Sequence, residues 1–141
     1  MIRPATPADS LAVAALGKRF AAAADTGFPF DAAYAEARAR QVILDPNGVC
    51  LLWDVGRPVG VLAATVGLHP LFPVLWAQEL LWWIDPEHRG AGRAMIAAFE
   101  AWARERGADV AKLSALDPRA GVLMRRAGYA LAPETHWLKR L

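Results

Sequence analysis

Two rhythms of apolar residues divide the chain. Leu11, Val13, Leu16 and Phe20 recur close to helical spacing. The residues before them read as a helix start, with Thr6 as cap, Pro7 at the first helical position and Asp9 at the positive end. Thr26-Gly27-Phe28-Pro29 breaks that helix. Asp31 caps a second one with a weaker stripe of Tyr34, Ala35, Arg38 and Val42, which stops at the turn Asp45-Pro46-Asn47-Gly48. The rhythm then changes. Val49–Asp54 and Val59–Leu68 read as strands joined through Val55-Gly56-Arg57-Pro58, an antiparallel hairpin. Pro70 and Pro73 bracket a loop, and Val74–Ile84 is a long, mostly apolar run, the pattern of a central strand buried on both faces.

Helical spacing returns in Ala91–Arg106, where Met95, Phe99 and Trp102 share a face and Gly107 supplies the stop. Val110–Leu116 reads as a strand. Asp117-Pro118 repeats the cap-then-proline start and opens a helix through Ala127, ended by Gly128. Tyr129–Leu131 and Thr135–Leu138 close the chain as two strands around Pro133, and a short first strand lies at Ile2–Ala5. The predicted order is β-α-α-β-β-β-α-β-α-β-β, a mixed α/β domain spanning residues 1–141.

Composition narrows the class. The chain has 141 residues, 55% hydrophobic and 21% charged, with six Trp and one cysteine. That apolar content excludes a disordered chain, and the lone Cys50 excludes a disulfide scaffold. No apolar run reaches the roughly 18 residues of a membrane span, and Met1–Ala5 carries no signal-peptide core. The expectation is a soluble cytoplasmic domain without a membrane partner. The formal charge of +2 is uneven: residues 1–85 hold six basic and eight acidic side chains, residues 86–141 ten and six. The basic residues are scattered and no nucleic-acid motif accompanies them, so nucleic acid is not the expected partner. The three His and Cys50 show no metal-ligand spacing, and no metal is expected.

Candidate chemistry gathers in Ile84-Asp85-Pro86-Glu87-His88-Arg89-Gly90-Ala91-Gly92-Arg93-Ala94. A strand ends, a glycine-containing turn follows and a helix begins. The free N–H groups and dipole of a helix start form an anion cradle. Gly90 and Gly92 let a phosphate approach the backbone, and Arg89 and Arg93 add charge. The Gly-Lys-Ser/Thr ending of a P-loop is absent, as is the three-glycine dinucleotide fingerprint. Arg89, Gly92 and Ala94 match instead the pattern Arg-x-x-Gly-x-Ala. With the order of elements from residue 74 to 131 and the later Arg126-Ala127-Gly128-Tyr129, the chain resembles the GNAT superfamily of N-acetyltransferases. The run from Trp76 to Gly90, with Glu134-Thr135-His136, is similar to small acetyltransferases of phages and their bacterial hosts.

The resemblance implies a GNAT-like domain: a mixed, mostly antiparallel sheet of six to seven strands with about four helices. It implies acetyl-CoA as cosubstrate, an amine acceptor, and direct attack in a ternary complex. Backbone amides of Arg89, Gly90, Ala91, Gly92, Arg93 and Ala94 would hold the pyrophosphate, and the backbone of Trp82, Trp83 and Ile84 would pair with pantetheine. Glu79, the one acid inside the long strand, is the candidate general base; a salt bridge or an edge position is its other reading. Simple alternation puts Glu79 on one face with Leu81 and Trp83; a bulge, which the resemblance implies at this place, would change that assignment. His69 is a further candidate, as base or acceptor contact. Met124 stands where the family often has a tyrosine general acid, while Tyr129, Asp117, His88, His136 and Cys50 read as structural or surface residues. Because of Met124, a non-catalytic acyl-CoA-binding or protein-interaction module on the same fold is the alternative. The edge near residues 129–139 is a possible homodimer surface.

Overall fold

The computed structural model describes every residue except Thr135. Strand β1 (Ile2–Pro4) leads through a 3-10 turn (Pro7–Asp9) into α1 (Ser10–Ala24), followed by α2 (Ala32–Leu44). Three strands come next, β2 (Gly48–Asp54), β3 (Pro58–Leu68) and β4 (Leu75–Ile84). A second 3-10 turn (Pro86–Ala91) enters α3 (Gly92–Glu105), and β5 (Val110–Lys112) and α4 (Pro118–Arg126) complete the order. No described helix is long and apolar enough to cross a membrane.

Local chemistry explains the element ends. The Thr6 N–H and hydroxyl both donate to Asp9 Oδ2, at 2.7 and 2.9 Å, fixing the entry to α1. Arg3 reaches from β1 to Asp9 Oδ1 at 2.8 Å and to Asp54 Oδ2 at 2.9 Å, tying the first strand to that entry and to the end of β2. Asp31 accepts the Tyr34 N–H at 2.8 Å and Asp117 accepts the Arg119 N–H at 2.9 Å, so both act as the expected helix caps.

The sheet runs β1-β2-β3-β4-β5, antiparallel except for the parallel pair β4–β5. Helices cover both faces. On one, Leu51, Leu62, Ala64, Ala77 and Ile84 pack with Met95, Phe99 and Ala103 of α3. On the other, Leu52 and Val61 pack with Val13 and Leu16 of α1 and Ala39 of α2, with Leu81 and Trp83 alongside. This explains why β2 to β4 read as unbroken apolar runs: successive residues enter opposite cores.

Two expectations need correction. The sheet has five strands, not six to seven. Among the described residues no strand follows α4. Gly128, at φ +91°, turns the chain away, Pro133 lacks an N–H to donate, and β5 offers only three residues as a template. Leu131, Trp137 and Leu138 stay exposed, and the predicted strand at residues 135–138 begins on Thr135, outside the described residues. The second concerns simple alternation in β4, which gives way to the bulge that the resemblance implied. Ala63 pairs with Leu81 but Ala64 pairs with Glu79, so Leu80 is an extra residue. This bulge shifts the face of every residue before it. Glu79 is brought opposite Ala64 of the α3-side core, away from the face of Leu81 and Trp83.

Phe99 is fully buried and central to the α3-side core. Replacing it with alanine will cost about 3–5 kcal/mol, read as a lower urea midpoint with an unchanged m-value.

Candidate active site

Strands β4 and β5 pair only through Trp76–Gln78 and Val110–Lys112. Beyond this point they part. Residues 79–84 keep their pairing with β3, and on the other side the chain leaves the sheet toward α4. The opening is a cleft of about 650 Å³. Trp82, Trp83 and Ile84 form one wall, residues 114–120 and Leu123 the other, with Ala23 of α1 at the rim. Backbone N–H and C=O groups on the open side of β4 have no ladder partner there and need water or a ligand.

One end of the cleft is the start of α3. Arg89 and Gly92 line it, and no side chain caps the helix. A Cβ on Gly92 would lie 2.8 Å from Leu123 Cδ2 and 3.7 Å from Trp82 Cζ2, so glycine lets α4 and Trp82 close on the helix start. A Cβ on Gly90 meets nothing within 4 Å, leaving open space above the turn. The sequence reading gave both glycines one role; the structure separates a packing position from an open one. Arg89 lies 5.8 Å from the Trp83 ring centroid and 3.7 Å from Asp117 across the cleft. Asp117 is bound more closely by Arg119, at 2.6 Å, whose hydrogen bonds lower its pKa to about 2. Ala91 is buried, whereas the Arg93 and Ala94 side chains are exposed on the first turn of α3.

Asp85 holds this end in place. It is buried, and its carboxylate accepts the Trp83 indole N–H at 2.9 Å and a guanidinium N–H of Arg19. Its own N–H donates to Val59 O at 2.9 Å, and its carbonyl accepts the His88 N–H at 2.8 Å. Sequence reasoning missed this set. An acid at the end of an apolar strand signals a buried carboxylate in need of a partner. That the partner is Arg19, 66 residues away, is not visible in one sequence.

Glu79 sits half-buried at the point where β4 and β5 part. Its Oε2 accepts the Ser114 N–H at 3.0 Å, and Ser114 lines the cleft. Burial pushes the Glu79 carboxyl above the ordinary glutamate range, opposed by the Ser114 hydrogen bonds and the Lys112 charge. Trp82–Ile84, Arg89 and Gly92 thus line one cleft, and Glu79 meets it through Ser114. His69 is elsewhere, in the β3–β4 loop. Its Nδ1 accepts the Leu71 and Phe72 N–H groups at 3.1 and 3.3 Å, and its ring lies 4.6 Å from that of Trp76.

Met124 is half-buried on α4, and its carbonyl accepts the Tyr129 N–H at 3.0 Å. The Tyr129 hydroxyl is buried without a hydrogen-bond partner, and burial with the nearby Glu100 charge raises its pKa. It borders a separate depression with Glu100 and Arg104. Cys50 is buried in β2, its thiol pushed up to about 12 by burial. Among the described residues no three His, Cys, Asp or Glu side chains converge as a metal site.

The comparisons with known proteins bear on family and fold. The model of the acetyltransferase (GNAT) family matches residues 18–129. A predicted acetyltransferase from Clostridium acetobutylicum, solved with acetyl-CoA, superposes with a TM-score of 0.83 at 15% identity, covering 99% of this chain and 95% of that one. An aminoglycoside antibiotic 6'-N-acetyltransferase from Acinetobacter haemolyticus gives 0.77 at 17% identity, covering 100% and 98%. A ribosomal-protein-alanine N-acetyltransferase from Brucella melitensis biovar Abortus gives 0.73 at 21% identity, also covering 100% and 98%. At these identities the likeness is one of fold. A search of curated protein sequences finds no match.

The Glu79 environment has a consequence for stability. A group whose folded pKa lies above its unfolded value stabilises the fold below the unfolded pKa, and that contribution is lost as pH rises through the folded pKa. Ionised Glu79 therefore weakens the fold at neutral pH. Glu79→Gln removes the charge and keeps an oxygen for the Ser114 N–H. Its Tm will exceed that of the parent at pH 7, with the gap narrowing as the solution is acidified, measured by thermal unfolding across pH.

Proposed function

This chain belongs to the acetyltransferase (GNAT) family, and we propose that it is an acetyl-CoA-dependent N-acetyltransferase acting on a primary amine. The observation that carries the reading is the one-sided stretch of β4, residues 79–84, opening on a cleft that ends at the uncapped start of α3. Each part suits one part of acetyl-CoA. An extended chain of amides fits beside an unpaired strand, and the pantetheine arm is such a chain. A pyrophosphate fits a helix start, where free N–H groups and the dipole favour negative charge. Arg89 and Arg93 lie at that end. The indole N–H of Trp82 is buried without a partner beside the same cleft, a donor with nothing of the protein to bind.

In this reading the amine nitrogen attacks the thioester carbonyl. The new C–N bond forms, the C–S bond breaks, and CoA leaves as its thiolate. Glu79 takes the proton that the ammonium must lose, directly or through water. Its raised pKa suits this role, since a stronger base draws the proton better. An open N–H on β4 stabilises the oxyanion formed at the carbonyl. The thiolate of a group with pKa about 8.5 takes its proton from water, so a tyrosine at the position of Met124 is not required.

Incubation with acetyl-CoA and a panel of primary amines, followed by titration of free thiol, tests the reading. Protein-dependent thiol release with at least one amine is expected. Glu79→Gln will lower kcat/KM by about 10²–10⁴-fold while calorimetric affinity for CoA stays near that of the parent. The acid limb of the parent profile will fall at a pH above the ordinary glutamate pKa. CoA binding with no amine-dependent thiol release would favour the non-catalytic binding module instead.

A further inference from the structure

One buried carboxylate stands behind the wall of the cleft without lining it. Asp85 is 7% exposed and follows the last residue of β4. Its backbone is fixed on both sides, by its N–H on Val59 O at 2.9 Å and by its carbonyl, which accepts the His88 N–H at 2.8 Å. Its two carboxylate oxygens are divided between two elements. Oδ2 accepts a guanidinium N–H of Arg19 on α1, and Oδ1 accepts the Trp83 indole N–H at 2.9 Å. A buried carboxylate held in this way cannot turn without losing a partner. The Trp83 ring is therefore tied at its nitrogen.

That ring lies beneath Arg89. Both residues line the cleft, and the Arg89 guanidinium carbon lies over the indole, 5.8 Å from its centroid. This is within the roughly 6 Å reach of a cation–ring attraction. The other charged neighbour of Arg89 is Asp117, 3.7 Å away, and Asp117 is held more closely by Arg119 at 2.6 Å. The Arg89 side chain is 47% exposed. A long exposed side chain with no platform spreads over many rotamers, and an anion that binds it must remove that freedom. A tied indole lowers this cost. The contacts run unbroken from Arg19 through Asp85 and Trp83 to Arg89, from α1 to the turn before α3.

Taking the acetyl-CoA reading as its basis, we propose that Asp85 is a positioning residue for the phosphates of the cofactor: it orients the Trp83 indole, and the indole holds Arg89 beside the start of α3. Asp85 itself meets no substrate or cofactor atom. Arg19 completes the arrangement. Its charge offsets that of the carboxylate, so that Asp85 orients the wall without repelling an anion at the same end of the cleft.

The test compares the affinities of CoA and of pantetheine, which has the same arm and no phosphate, by NMR titration. CoA will bind the parent more tightly. Asp85→Asn and Trp83→Phe will each lower the CoA-to-pantetheine affinity ratio by about tenfold, as Arg89→Met does, and neither will lower it further in an Arg89→Met background. Thermal unfolding verifies the fold of each variant. Should Asp85→Asn fail to fold, Trp83→Phe decides alone, since it leaves Asp85 paired with Arg19. Equal losses of affinity for both ligands would show that Asp85 only supports the wall, and would overturn the proposal. Losses that add to that of Arg89→Met would overturn it as well, as would a ratio that only Arg89→Met changes; both leave the acetyl-CoA reading intact. A parent that binds neither ligand sinks the acetyl-CoA reading and this proposal together.

Discussion

The site depends on β4 and β5 being partners for three residues and strangers afterwards. A parallel pair that continued would satisfy the backbone of residues 79–84 and leave no cleft. Parting exposes a row of backbone groups in the middle of a well-packed domain. Such groups are expensive to leave dry. Their solvation or capture by a ligand is therefore built into the fold, and the surrounding contacts keep the gap open. Trp82 and Leu123 close on Gly92 at one end, while Glu79 holds the Ser114 N–H at the other. The gap is a slot with contacts at both ends.

Asp85 connects this slot to the rest of the molecule. Its backbone continues the pairing with β3 through Val59, its carbonyl starts the turn toward α3, and its carboxylate holds Trp83 and Arg19. One residue thus joins the end of β4, the indole in the cleft wall and α1. The Arg89–Asp117 contact across the cleft is different in kind. Both groups are substantially exposed and the separation is 3.7 Å, so water and salt screen it. The slot is held by its buried ends, and the exposed pair leaves Arg89 available to an anion.

Sequence alone made most of the architecture visible, for physical reasons. Helix starts are written locally, in Thr6–Asp9, Asp31 and Asp117-Pro118, and all three act as caps or turns where expected. The glycine turn before α3 is local too. Features set by register or by distant partners were hidden. Alternation alone put Glu79 on the face of Leu81, because nothing in Gln78-Glu79-Leu80 marks the extra residue; the resemblance implied a bulge, and the pairing with β3 locates it at Leu80. The predicted strand beyond Lys112 overran because Leu113 packs on the α3-side core without a strand partner, while Ala115 and Leu116 are exposed along the cleft. His69 was legible as a loop residue, but its Nδ1 contacts to the loop backbone were not. Lys112 carried no signal at all until its register opposite Gln78 placed it over Trp76.

Departures from local good practice converge on the same few residues. The sheet bulges at Leu80, a carboxylate is held half-buried at Glu79, an indole N–H is left without an acceptor at Trp82, and a strand edge is left open from 79 to 84. Each one weakens the fold or at best leaves it unimproved. Elsewhere caps are made, Arg3 is doubly paired and the two cores are filled. A chain that satisfies its local rules almost everywhere and breaks several of them around one cleft is expected to use that cleft, which supports the site proposed for this protein. This argument uses no relative and no motif. It points to the same stretch of β4 that the proposed function uses, and it extends the selection to Glu79.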